Sequence, residues 1–95
     1  MFDLIILTPE NIYFKGQVQS VTAPGSLGYL EILTNHAPII TLLKKGQVLV
    51  KDADKIPHTY TITGGFLEVH RNRASLLADD IEVSSAPPLK FSGLT

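Results

Sequence analysis

The 95-residue sequence has no cysteine and no tryptophan, and it has a single methionine. Without cysteine there is no disulfide framework, no thiolate nucleophile and no cysteine-based zinc site, a composition that fits a reducing cytosol. An excess of one charge is also missing. Eight lysines and arginines against nine aspartates and glutamates leave a net charge of -1, which removes any electrostatic case for nucleic acid. No apolar run approaches the roughly 18 residues that would suggest a membrane-spanning helix. Met1-Phe2-Asp3 opens straight into a strand pattern, with no basic leader or Arg- and Ser-rich transit segment. No Asn-x-Ser/Thr acceptor site occurs. Helical periodicity is absent too: apolar residues recur at intervals of two, not three and four.

What remains is a text of short strands and turns, long enough for one domain. Phe2 to Leu7 is apolar on both faces apart from Asp3, the pattern of an interior strand. Thr8 to Asn11 reads as a turn, and Ile12 to Lys15 as a short strand closed by Gly16. In Gln17 to Ala23 the valines 18 and 21 sit an odd number apart, which predicts a bulge near Gln19-Ser20. Further strands are predicted at Tyr29–Leu33, Ile39–Leu43, Gln47–Lys51, Thr59–Thr63, Phe66–His70, Ala74–Ala78 and Ile81–Val83. Val48 and Val50 alternate with Gln47, Leu49 and Lys51. Tyr60 and Ile62 point inward against three threonines, and Leu67 and Val69 share a face. About ten short strands with frequent turns predict an all-β sandwich or flattened barrel over residues 1–83. Residues 84–95, SSAPPLKFSGLT, read as an extended tail, because Pro87-Pro88 continues neither a ladder nor a helix.

Catalytic chemistry finds little support. His36, His58 and His70 are far apart in sequence, without the spacing of a zinc site. Asp79 and Asp80 are neighbours, which on a strand point to opposite faces, so they do not form an acid–base pair. They read instead as edge-strand charges that discourage aggregation. No serine lies in a G-x-S-x-G context, and Gly25 and Gly28 lack the Lys-Ser/Thr of a phosphate loop. No cofactor is indicated. His36 stands at the tip of the strand–turn–strand stretch Pro24–Gly46. It reads either as a loop histidine bonded to its own turn or as a contact at a protein interface. His58 and His70 read as solvent-facing. Tyr13, Phe14, Tyr29, Tyr60 and Phe66 read mostly as core. Phe2, Ile5, Leu7 and Tyr13 are more apolar surface than one sandwich interior needs, which points to a partner-covered face.

The same stretch resembles a known family. Pro24, Gly25, Gly28, Ile32, His36, Ala37, Pro38 and Gly46 match the loop region of the epsilon subunits of F-type ATP synthases. Ile62 to Asp79, ITGGFLEVHRNRASLLAD, and the opening LTPENIYFKGQVQSVTAPG match in the same order. The resemblance implies the family's N-terminal domain, an antiparallel β-sandwich of ten strands. It also implies a non-catalytic rotor subunit at the foot of the central stalk, binding the gamma subunit and touching the c-ring. The absence of a targeting segment then favours the cytoplasmic side of a bacterial inner membrane. By motif match, Ser26, Leu27, Gly28, Tyr29, His36, Ala37 and Pro38 would lie at c-ring and gamma contacts, with Thr8, Ile39, Ile40 and Leu42 as further gamma candidates. Glu31 stands where the family usually has Gly, and Thr34 where it usually has Pro. The tail does not resemble the start of the family's C-terminal helical hairpin, so either a naturally short form, the favoured reading, or a cut sequence is expected.

Two rivals make separate predictions. A carbohydrate- or peptide-binding sandwich needs Tyr13, Tyr29 and Phe66 exposed on one face. A small hydrolase needs His36 within hydrogen-bond reach of Asp79 or Asp80.

Overall fold

The computed structural model describes residues 1–83, and the predicted tail lies outside the described residues. Nine strands form: β1 (Phe2–Leu7), β2 (Ile12–Gly25), β3 (Gly28–Ile32), β4 (Ile39–Leu43), β5 (Gly46–Asp52), β6 (Pro57–Ile62), β7 (Gly65–His70), β8 (Arg73–Ala78) and β9 (Ile81–Val83). The pairings arrange them in two layers. The first contains β4, β7, β8, β1 and the opening half of β2. The second contains β3, the closing half of β2, β5, β6 and β9.

The long strand β2 belongs to both layers. Gly16 does not end it, because Gly16 simply pairs with Leu4 and the ladder continues. This accounts for nine strands where ten were read from the sequence. Val18 is the crossover, paired with Phe2 on one side and Asp52 on the other. The register shifts between Val18 and Ser20, the bulge that the odd valine spacing predicted. At its far end, Gly25 pairs with Leu43 of β4 and ties the layers together again. The result is a sandwich flattened from a barrel.

One pair departs from the antiparallel expectation: β1 runs parallel to β8. The β1–β2 and β7–β8 hairpins each fix the direction of their strands, and joining them edge to edge leaves a parallel match. Period-2 alternation decides the core. Phe2, Leu4, Ile6, Leu67, Val69 and Leu76 enter it from the first layer, and Val21, Ile32, Val48, Val50 and Ile62 from the second. Only one face of β1 is fully buried; Ile5 and Leu7 remain half-exposed on the outside.

Turns fix the loops at the two ends of the molecule. Arg71 and Asn72 take φ of 53° and 59°, the left-handed pair of a two-residue hairpin loop. Asn72 exchanges hydrogen bonds with Asn35: its Oδ1 accepts from the Asn35 amide at 2.7 Å, and its Nδ2 donates to Asn35 Oδ1 at 3.0 Å. This clamps the His36 loop to one end of the molecule. At the opposite end, Ser26 N donates to Leu42 O and Lys44 N to Pro24 O, holding the Ser26–Gly28 turn beside the end of β4.

Candidate functional site

Register places the outward side chains of the first layer in rows across the strands. Leu42 faces Phe66, Phe66 faces Leu77, Leu77 faces Leu7, and Leu7 faces Ile12. Five strands thus contribute an unbroken apolar row to the outer surface. Leu42 is 68% exposed, Ile12 60% and Phe66 39%, so the row is open to solvent. The next row runs Ile40, Glu68, Ser75, Ile5, Lys15, and the one beyond it includes His70, Arg73, Asp3 and Gln17. The face therefore grades from apolar at the Ser26 end to charged at the Asn35–Asn72 end. The outer face of the second layer is different. There Thr22, Thr59, Thr61, Gln47 and Lys51 surround a single leucine, Leu49. A soluble surface seldom exposes a contiguous apolar patch on one side of a sandwich unless something covers it.

The sequence-derived contact residues fall into three places. Ile40 and Leu42 lie on the apolar face; Ile39 turns inward and packs against the core. Ser26, Leu27, Gly28 and Tyr29 occupy the β2–β3 turn, where Leu27 is fully exposed at the tip. Tyr29 lies across Pro24 and Gly46, its hydroxyl accepting the Gln47 amide at 3.1 Å. Here Gly46 has a definite reason: a Cβ would stand 2.8 Å from the tyrosine oxygen and 2.9 Å from Pro24 Cβ. His36, Ala37 and Pro38 lie at the other end of β3 and β4, so the structure separates the two groups of motif residues instead of joining them. His36 Nδ1 donates to Ala37 O at 2.7 Å, and its amide donates to Leu33 O, the own-turn bonding of a loop histidine. Thr8 is buried, and its hydroxyl accepts the Asn11 amide at 3.2 Å, which shapes the β1–β2 turn.

Phe66, Leu77 and Ile12 were absent from the contact residues that the sequence motifs supplied. Their signal was present in part: once Leu67 and Val69 are assigned inward, alternation forces Phe66 outward. Of the five aromatics read mostly as core, Tyr13, Phe14 and Tyr60 lie in or against it, whereas Tyr29 and Phe66 are exposed.

The rival chemistries are not assembled. Asp79 N donates to Gly64 O, next to the Leu43 end of β4, whereas His36 precedes the other end of that strand. Five strand residues at about 3.3 Å each stand between them, far beyond a hydrogen bond. Asp79 and Asp80 lie in the β8–β9 connection, not on an edge strand as read from the sequence. Tyr29 and Phe66 face outward from different layers, and Tyr13 sits at a second bulge against the core, so no aromatic platform forms. His58 corrects another expectation. It is not a free surface residue: Nε2 lies 2.8 Å from Asp52 Oδ2, and its ring stands edge-on to Phe14 at 5.5 Å. The His58 hydrogen bond, followed by the Ile56 amide, holds the Asp52 carboxyl below its ordinary value. That pair braces the β5–β6 hairpin on the side away from the apolar row. Among the described residues no group of three histidine, aspartate or glutamate side chains converges as a metal site.

Comparison with known proteins agrees with this architecture. Residues 1–84 match the family described as ATP synthase, Delta/Epsilon chain, beta-sandwich domain. An ATP synthase epsilon chain of Chlorobium limicola is 44% identical over 80 residues, covering 84% of this chain and 91% of the relative. One from Protochlamydia amoebophila is 42% identical but only 56% of it is covered. Epsilon chains thus occur both as little more than this sandwich and in longer forms. A chain of the Euglena gracilis mitochondrial ATP synthase superimposes with a TM-score of 0.79 at 20% identity, covering 84% of this chain and 51% of that one, a likeness of fold. With the sandwich, its open apolar face and these matches together, the chain belongs to the ATP synthase delta/epsilon chain family, whose β-sandwich domain it forms.

Proposed function

We propose that this chain is a non-catalytic subunit of the central stalk of an F-type ATP synthase, seated against the gamma subunit through the outer face of its first layer. The apolar row Leu42–Phe66–Leu77–Leu7–Ile12 carries this reading. Apolar burial is the principal driving force of association, and aromatic and aliphatic side chains near the centre of such a patch dominate its energy. Among the described residues no other part of the surface offers a comparable row. The Ser26–Tyr29 turn, with Leu27 fully exposed, is the part of the same reading that meets the c-ring. The location that accompanies this role is peripheral, on the side of the membrane that carries the catalytic head.

A rotor element must pass torque without yielding. A close-packed antiparallel sandwich suits that task, because its core deforms little under load. Binding also adds stability to a small domain, since a partner that binds only the folded state shifts the folding equilibrium.

The test is co-elution of the full chain with a gamma-containing catalytic head stripped of its own epsilon chain. One-to-one co-elution is expected. Changing Leu42 or Phe66 to Asp should weaken it by about 2 kcal/mol or more, roughly thirtyfold in Kd. Both residues point away from the core, so the variants should melt close to the parent. Undiminished co-elution of both variants would overturn the reading.

A further inference from the structure

Beside the apolar row lies a cleft of about 360 Å³, whose lining includes Asp3, Ile5, Lys15, Arg73 and Ser75. Register explains its shape. Ile5 is the floor. Lys15 of β2 and Ser75 of β8 stand directly to either side of it, and Arg73 stands beside Asp3 at the next outward position. One oxygen of the Asp3 carboxylate already accepts from the Gln17 side-chain amide. Neither Lys15 nor Arg73 forms an ion pair with another described residue. Two cations and a hydroxyl therefore surround an apolar floor, with one partly engaged carboxylate among them.

That arrangement suits a carboxylate side chain. The guanidinium of Arg73 offers two parallel N–H donors, Lys15 a compact positive charge and Ser75 a further donor. The aliphatic stem of the incoming residue would lie on Ile5. We propose that the cleft is a socket for an aspartate or glutamate of the subunit that covers the apolar row. This rests on the reading of that face as the gamma-binding surface. Continuity supports the same occupant: Ile5 and Leu7 share one face of β1, two residues apart, so a chain seated on the row reaches the socket in a step of about 7 Å. The socket supplies what the row lacks. Apolar contact is non-directional and tolerates sliding, whereas a charge-assisted pair at one end fixes position along the row. In a subunit that must turn with its partner, that fixed position resists slippage.

Titration calorimetry of the full chain against the epsilon-stripped head, at low and high salt, tests the socket. Reversing both cations, Lys15→Glu with Arg73→Glu, should raise Kd by about tenfold or more at low salt, and the loss should shrink as salt rises. Lys51→Glu, on the outer face of the other layer, should leave Kd unchanged. Both cleft cations are exposed, so circular dichroism should report an intact fold; if the double reversal does not fold, the single Lys15→Gln and Arg73→Gln changes give the same readout. An unchanged Kd for the cation variants, alongside a raised Kd for Phe66→Asp, overturns the socket and leaves the face assignment standing. An unchanged Kd for Phe66→Asp as well, or no binding by the parent chain, overturns both.

Discussion

At Gly65 a single methyl group would have nowhere to go. Its φ is +151°, and a Cβ built there would lie 2.1 Å from the Leu77 carbonyl oxygen, a backbone atom that cannot swing aside. Gly65→Ala should cost at least about 2 kcal/mol, lowering the melting temperature by roughly 10 °C or more in a domain this small. A melt within a degree or two of the parent would refute that account. The double glycine was legible in the sequence as a kink or close approach. The atom approached was not, because it comes from a strand twelve residues further along. Asp52 shows the same limit. Its turn could be read locally, but its partner His58 is set by the hairpin register. The lowered Asp52 pKa gives a definite sign. The stabilisation is complete above the ordinary carboxylate value of 3.8 and is lost as pH falls through the lower folded-state value. Urea melts of the parent and of Asp52→Asn should therefore differ near neutral pH and converge in strong acid. A gap that is constant with pH would contradict the assignment.

Among the elements, β2 does the joining. Its two valines at 18 and 21 both point inward although their spacing is odd, and Gln19 is the residue that makes this possible. Deleting Gln19 would restore simple alternation and keep both valines on one face. It would also remove the local twist that lets one strand leave the first layer for the second. The deletion should thus destabilise strongly, with loss of a cooperative urea transition, even though the hydrophobic pattern improves. A cooperative, near-parental transition would show that the bulge is dispensable. The strands with strict alternation, such as β5 and β7, were legible almost to the residue. Gly16 misled as a terminator, since an isolated glycine in a strand weakens it without ending it. The parallel β1–β8 pair left no local trace, because strand direction across a closing seam depends on two distant hairpins.

The whole molecule has two unlike faces, one with an apolar row and one studded with threonine. The sandwich itself could be read from alternation and turn spacing. The row could not, because it combines one outward residue from each of five strands, and each is ordinary alone. The motif residues that family resemblance supplies gave only its β4 end, Leu42, with Ile40 from the neighbouring row. The absence of cysteine makes a direct test available. Single cysteines placed at Ile40, Leu42 and Phe66 on one face, and at Leu49 on the other, can be labelled with a maleimide before and after adding the epsilon-stripped catalytic head. Labelling at Ile40, Leu42 and Phe66 should slow at least about tenfold in the complex, while Leu49 labels at its free rate. Protection confined to Leu49, or equal labelling at all four positions in a demonstrated complex, would contradict the assignment of the apolar row as the surface that gamma covers.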